Sequence, residues 1–530
     1  MKNINRRNFI KGSAYLGAAS AAAGSVAANA TMGSLVPTYF SYRKCAVIGS
    51  GFGGSVAALR LGLAGKSTAL IERGKYWQYQ GEDTFPVVAD AALNGDGRTT
   101  WLGDVDGATG NYPVSRYTGL LERINGDTTH SVVGAGLGGG SLVYGGVLLQ
   151  PRRDLFEQVF PFINYDQMDS QYYPRVLSLV SGGTIPEDIL NTNQYSAIKT
   201  FIDNATAAGL TVTRSHVGFN WNVIRKEVTG EINPFASVGE YVYGCNSNAK
   251  NTLDKNYINQ AAATGKVSIF TLHNVTTVKQ TWGDSYEVHC EVLNELGDLL
   301  YRHVIYCQYL FMAAGAVNTP KLLLKAKALG DLTGLNDQVG QNWGGNGDEL
   351  MGRLIYNPAV NPIQGGPPCV AAHDTNNPIK TVGFMHSPSS GGAQGLPDGV
   401  RLQLHMAMSV PDALGSVSYN PATNAAFVSY PEAANQLDRQ AHYISLAKMQ
   451  HLDNGVIPGS AIGSSSAIWH PLGGAVMGAA TSELGEVYGQ SNLFVVDGSL
   501  MPGSTAAANP SLTIAANAER IMESLIPQLY

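Results

Sequence analysis

The chain has 530 residues, is 44% hydrophobic and 14% charged, and carries 62 glycines. That composition excludes a disordered or fibrous protein and leaves room for more than one domain around a large buried core. A net charge of −6, with no basic cluster beyond the first eleven residues, gives nucleic-acid binding little electrostatic support.

The N-terminus reads as an address. Arg6 and Arg7 precede Phe9, Ile10 and Lys11, and an uncharged Ala/Gly-rich run from Gly12 ends in Ala28-Asn29-Ala30, a small-residue cleavage pattern. Residues 1–30 resemble the twin-arginine export signal of proteins that cross a membrane already folded. The run is too poor in Leu, Ile and Phe to span lipid well. Removing it takes four basic side chains and no acidic ones, which moves the charge from −6 to −10. The expectation is a periplasmic or secreted protein, handled by the twin-arginine machinery, with its cofactor acquired beforehand. Cys45, Cys245, Cys290, Cys307 and Cys369 show no CxxC or metal-ligand spacing; they read mostly as core packing, and no metal is expected.

In "YRKCAVIGSGFGGSVAALRLGLAGKSTALIERG", Cys45 to Ile48 reads as a buried strand, Ser55 to Leu63 as a helix ending at Gly65, and Thr68 to Ile71 as a second strand. Gly49, Gly51 and Gly54 form G-x-G-x-x-G at the first strand-to-helix turn, with Phe52 and Gly53 between. Glu72 closes the second strand 23 positions after Gly49. Glycines there let the backbone approach a pyrophosphate at a helix N-terminus, and the carboxylate suits ribose hydroxyls. Tyr76 to Asn111 is irregular, with Tyr76, Trp77, Tyr79, Phe85 and Trp101 interleaved. It reads as a lid over an apolar ligand or as a plain surface loop.

Val132 to Val147 holds seven glycines, a density that permits close backbone approach to a ligand. From Lys266 three β runs follow, the last breaking into "NTPKLLL" (Asn318 to Leu324), read as a helix started by its proline. The tail begins with a strand ending at Asp497-Gly498. It continues through a Gly/Ser/Ala loop to Asn509-Pro510 and then a helix with Leu512, Ile514 and Ile521 on its apolar positions. Before that tail stands "IWHPLGGAVMG" (Ile468 to Gly478), which is a turn, or a device for holding one imidazole rigidly.

Taken together, the fingerprint with Glu72, "GGGSLVYGG", "AAGAVNTPKLLL" and "WHPLGG…VVDGSLMPGSTAAANPSLTIAANAERI" resemble the glucose–methanol–choline (GMC) oxidoreductases, in the family's order. Within that family, "YGCNSNAKNTLDKNYI", "TLHNVTTVKQT" and "VGQNWGGNGD" are most similar to the non-covalent bacterial cholesterol oxidases. The resemblance implies an α/β (α+β overall) architecture: a Rossmann-like FAD-binding domain (40–155, 240–350 and 460–530) with an inserted substrate-binding domain (156–239 and 351–459) built on a β-sheet with covering helices.

It also implies FAD as cofactor. Gly49, Gly51, Phe52, Gly53 and Gly54 would face the pyrophosphate, Glu72 the ribose, and Gly136, Gly138, Gly139, Gly140 and Ser141 the flavin. Val275 would meet the adenine, and Gly315, Asp497, Gly498 and Pro510 would complete the cofactor site. His470 matches the family's active-site histidine and Asn509 the asparagine that sits against the reduced flavin. The implied reaction oxidises a 3β-hydroxysterol to the ketone with oxygen, releasing hydrogen peroxide. A transient membrane-surface contact would deliver the substrate.

Two positions depart from the family. Its sterol oxidases carry a glutamate that moves a proton when the Δ5-ketone isomerises to the conjugated Δ4-ketone. Here Met385 takes that place without a gap, and His386 takes it with a shift of one residue. A thioether cannot carry a proton, whereas His386 could. Tyr144 stands where relatives often have asparagine. Two other readings remain at this point: a dehydrogenase of the same family using a non-oxygen acceptor, and an exported NAD(P)-binding protein.

Overall fold

The computed structural model describes residues 36–88, 94–363, 365–386, 396–450 and 467–530; the expected export segment lies outside them. The glycine fingerprint folds as its spacing predicts: strand β1 (Thr38–Ile48), helix α1 (Phe52–Leu63) and strand β2 (Thr68–Ile71). Only the last four residues of β1 are fully buried. The strand nevertheless extends seven residues before the apolar run, because it pairs in parallel with a long partner along its whole length.

That partner is β6 (Leu299–Met312), which follows β3 (Val267–Phe270), β4 (His273–Gln280) and β5 (Tyr286–Leu293). The sheet runs β3-β2-β1-β6-β5-β4, and β7 (Leu493–Val495) joins β6 in parallel at Leu310–Met312. The segment read as one β run from Lys266 is therefore two strands. Leu272, at φ 56°, turns the chain from one edge of the sheet to the other. The sheet curls to allow this, bringing the Phe270 and His303 rings within 5.4 Å.

Helix α2 (Gly315–Leu329) starts before the predicted Asn318 and carries Pro320 inside it. Its start is set by Gly315, whose N–H donates to Asp497 Oδ2 at 2.8 Å, so the proline is not the initiator. Helix α3 (Pro510–Leu525) does begin at its proline. Close approach to the sheet is possible because Gly53 and Gly54 have no side chains. A Cβ on Gly53 would lie 1.8 Å from the Val496 carbonyl oxygen, and one on Gly54 would lie 2.0 Å from that of Gly49.

A second sheet is wholly antiparallel, in the order Glu349–Tyr356, Val400–Met408, Val382–His386, Val370–Asp374 and Thr211–Arg214. Side chains alternate between its faces. Leu350, Met406, Met385 and Ala371 form one register row. The next row, Met351, His405 and His386, points to the opposite face. There it meets helices Ser196–Ala207 and Gln436–Gln450 in a separate core with Phe201, Phe384, Leu446 and Met449. Residues Thr38 to Tyr530 form one compact unit.

Gly53→Ala is expected to destabilise the protein by at least the roughly 1–3 kcal/mol of a core overpacking, because its methyl meets backbone rather than a flexible side chain. The check is a lowered thermal midpoint together with loss of bound flavin.

Candidate active site

One cavity of about 730 Å³ runs from the N-terminus of α1 to the Leu350–Met406–Met385 row of the second sheet. At its first end Gly49, Gly51, Phe52 and Gly53 form the wall, with Gly139 and Gly140 opposite and Gly315 beyond. A Cβ built on Gly51, Gly140 or Gly315 meets no heavy atom within 4 Å. These backbones are thus bare toward the cavity, and a side chain on any of them would occupy it. The amides opening α1 point an anion-binding helix end into the same space.

Glu72 lies in the wall, held by four donors. The Ser50 N–H (3.1 Å) and hydroxyl (2.6 Å) reach Oε2, and the N–H groups of Gly74 (2.9 Å) and Gly136 (3.3 Å) reach Oε1. The carboxylate ties both glycine loops together. Val275 lines the cavity from β4, and Gly498 and Pro510 line it from the tail. Asp497 accepts from the Thr319 hydroxyl at 2.7 Å, the Gly315 N–H at 2.8 Å and the Ser499 N–H at 2.8 Å. Burial raises its pKa even against those hydrogen bonds. Ser50, Arg73 and Asn274 also line this end and were not singled out from the sequence.

Four expected cofactor contacts stand behind the wall instead. Gly54 packs α1 on Gly49, and Gly136 lies against Leu142 and Trp77. The Ser141 hydroxyl donates to the Gly138 carbonyl at 2.7 Å and accepts from the Leu253 N–H at 3.0 Å. Gly138 and Ser141 therefore brace the loop that presents Gly139 and Gly140. Lys250, wholly buried, braces it too by donating to the carbonyls of Leu142 (2.9 Å) and Tyr241, and burial pulls its ammonium down to about 7.

His470 and Asn509 also line the cavity. Asn509 caps α3, and its carboxamide oxygen is buried with no partner among the described residues. His470 Nδ1 lies 2.5 Å from Asp348 Oδ2, an ion-pair distance whose alignment falls outside that of a hydrogen bond. The turn reading of "WHPLGG" also holds, since Gly473 and Gly474 adopt φ of 92° and 91°. Asp348 was missed. It ends the "VGQNWGGNGD" segment, and nothing local to that segment shows which histidine it meets.

His386 does not reach the cavity. Met385 occupies the wall, and a strand places the next side chain on the other face. His386 stacks on Phe201 at 5.4 Å, and neither ring nitrogen has a partner among the described residues. Burial, with Arg353 nearby, pushes its pKa down to about 3. The proton-carrying role expected of it is corrected on that geometry. Tyr144 lines the cavity with its ring 5.5 Å from Phe52, and a Cβ on Gly218 would sit 1.9 Å from its hydroxyl oxygen. The aromatic loop lines part of the cavity through Val88, Trp101 and Ala108, while Trp77 and Phe85 pack inward with Leu121, Val132 and Tyr243.

The bare glycine backbones, the helix end and the unpartnered Asn509 oxygen fit a flavin dinucleotide with a substrate beside it. The protein is of that class, an FAD-dependent oxidoreductase. It matches the GMC oxidoreductases over residues 47–343 and 418–518, and it belongs to that family. Among curated proteins it is 24% identical to a cholesterol oxidase of Acinetobacter baumannii, over 91% of this chain and 94% of that one. It is 25% identical to a cholesterol oxidase of Mycobacterium tuberculosis, over 89% of each. Pyridoxine 4-oxidase from Mesorbium loti shares the fold at a TM-score of 0.60 and 16% identity, over 91% of this chain and 99% of that one. A fungal aryl-alcohol oxidase does so at 0.61 and 14%, over 92% and 99%.

His386→Phe is expected to leave turnover and product ratio unchanged and to flatten acid destabilisation. With a folded pKa of about 3 against the ordinary 6.5, the unfolded chain takes the proton first, so stability falls as pH drops from 6.5 toward 3. The slope is about 1.4 kcal/mol per pH unit. Urea midpoints at pH 7 and 5 check this, and the variant should show the smaller difference.

Proposed function

We propose that this protein oxidises the 3β-hydroxyl of a sterol to the ketone, with oxygen as the electron acceptor and hydrogen peroxide as the second product. The observation that carries the reading is the wall opposite the glycine cradle. Leu350, Met385, Met406, Val88, Ala108 and Val242 make it apolar, and His470 and Asn509 stand together where it meets the cradle. Such a chamber buries a rigid hydrocarbon and turns its single hydroxyl toward the polar end. Sterol-oxidising relatives that match over nearly the whole chain support the choice of substrate.

With Nδ1 at Asp348, Nε2 is the His470 nitrogen left for the cavity, and it takes the hydroxyl proton as general base. The N-terminus of α3 gives that end a positive potential, which favours negative charge beside it. When bound, FAD supplies the two-electron acceptor. Met385 carries no proton and His386 faces away, so we expect oxidation without isomerisation by that position. Export through the twin-arginine pathway belongs to the same proposal, supported by the Arg6-Arg7 segment.

The test is aerobic turnover of purified, flavin-loaded protein with cholesterol, reading peroxide and product ultraviolet absorbance together. Peroxide without the conjugated-enone band is the expected result. A yellow protein that releases no peroxide but turns over with a dye acceptor overturns the oxidase assignment. His470→Ala should lower turnover about 10²- to 10⁴-fold, the usual worth of a general base, with the bound-flavin spectrum retained.

A further inference from the structure

We propose that Asp348 is the positioning residue of His470: its carboxylate holds the imidazole proton on Nδ1 and so keeps Nε2 bare as the proton acceptor. The proposal rests on the alcohol-oxidation reading above and names a part that it lacks.

The contact distance decides the tautomer. At 2.5 Å the Asp348 oxygen lies against Nδ1, so a proton on Nδ1 makes the contact attractive and a bare Nδ1 makes it repulsive. With the proton on Nε2 instead, two lone pairs would face each other in a buried site, since both atoms are shielded and have no other partner among the described residues. A buried carboxylate oxygen without a positive neighbour is costly, and the Nδ1–H group offsets that cost. When the substrate O–H bond breaks, its proton goes to Nε2 and its electron pair stays on oxygen. The imidazolium formed is then neutralised by Asp348.

The contact is built by the backbone. Gly344 and Leu472 exchange N–H···O bonds of 2.8 and 2.9 Å, and the Gly340 N–H donates to the Gly474 carbonyl at 2.7 Å. Followed onward, that register reaches Asn346 opposite His470, and the turn closed by the Asp348 N–H on the Gly345 carbonyl at 3.0 Å brings Asp348 back against the imidazole. Asn346 braces it: its amide donates to Asp348 Oδ1 at 3.3 Å and to the Ala508 carbonyl at 2.9 Å, and its carbonyl accepts from the Thr505 N–H at 2.8 Å. One buried side chain thus touches the carboxylate and the loop that ends at Asn509. Ala506 and Ala507 in that loop hold φ of 63° and 54°, a strain that persists only where neighbours over-determine it.

The other charges nearby are engaged or further off. Glu349, the next residue, pairs with His442 at 3.0 Å and Arg439 at 3.3 Å. Tyr430 stands behind Asp348, and burial raises its pKa. Asp497 and Glu72 line the cavity further along, each held by its own donors.

The experiment reads the tautomer and the turnover together. In protein with isotope-labelled histidine, NMR should show His470 protonated at Nδ1 and bare at Nε2, and Asp348→Asn should abolish that preference. In turnover, Asp348→Asn should lower kcat about 10²- to 10⁴-fold. Asp348→Glu should recover part of the rate, and Asp348→Asn should add no loss on top of His470→Ala. A parent spectrum with Nε2 protonated, or an Asp348→Asn spectrum whose tautomer is unchanged, overturns the proposal. So does loss of the folded yellow state in both Asp348 variants, which would make the carboxylate a structural prop. Full turnover by His470→Ala alone would instead overturn the reading beneath it.

Discussion

Backbone hydrogen bonds between segments 340–344 and 472–474 join parts of the chain that are far apart in sequence, and the reactive end of the cavity exists because of them. The 472–474 side needs glycine. A Cβ on Gly473 would lie 2.1 Å from the Asn342 carbonyl oxygen, and one on Gly474 would lie 2.9 Å from the Pro320 ring. The His–Pro–Leu–Gly–Gly run is therefore both a turn and a histidine holder, because the turn is what presses the strand onto its partner. Once they are pressed together, Asp348 and His470 meet, and Asn346 ties the pair to the loop before Asn509.

The second sheet supplies the other half of the site through the period of a strand. Because faces alternate, one residue separates a side chain in the substrate chamber from one in the distal core. Met385 and His386 show the consequence: adjacent in sequence, one touches the chamber and the other stacks on Phe201 beside His405. The distal core accommodates polar rings by keeping them neutral. The chamber keeps its polar atoms to the end where the glycine cradle begins.

Much of the nucleotide-binding half was legible because its signals are local. A buried strand, a glycine triplet, a helix and a closing acid lie within one short stretch, and their order carries the geometry. His470 and Asn509 were legible through motifs that a family resemblance supplied. What was not legible depends on long-range register. The pairing of Asp348 with His470, the side taken by His386, and the splitting of one β run at Leu272 are settled by partners distant in sequence. The bracing roles of Gly136, Gly138 and Ser141 were hidden for a related reason. Glycine density marks a tight loop without saying which glycines turn toward the ligand.

The nucleotide-binding sheet has a further consequence through the order in which its parts are made. Its first strand begins at Thr38, yet β6 takes β7 from residues 493–495 as a neighbour, and α3 packs on α1. Domains generally fold as units as they emerge from the ribosome, but this one cannot close until almost the whole polypeptide has left the tunnel. The glycine cradle waits throughout synthesis for Val496, Gly498 and Pro510 to arrive. Flavin capture therefore draws on both ends of the described chain: Gly49 to Gly53 supply the cradle, and residues 497 to 514 supply part of the wall that faces it.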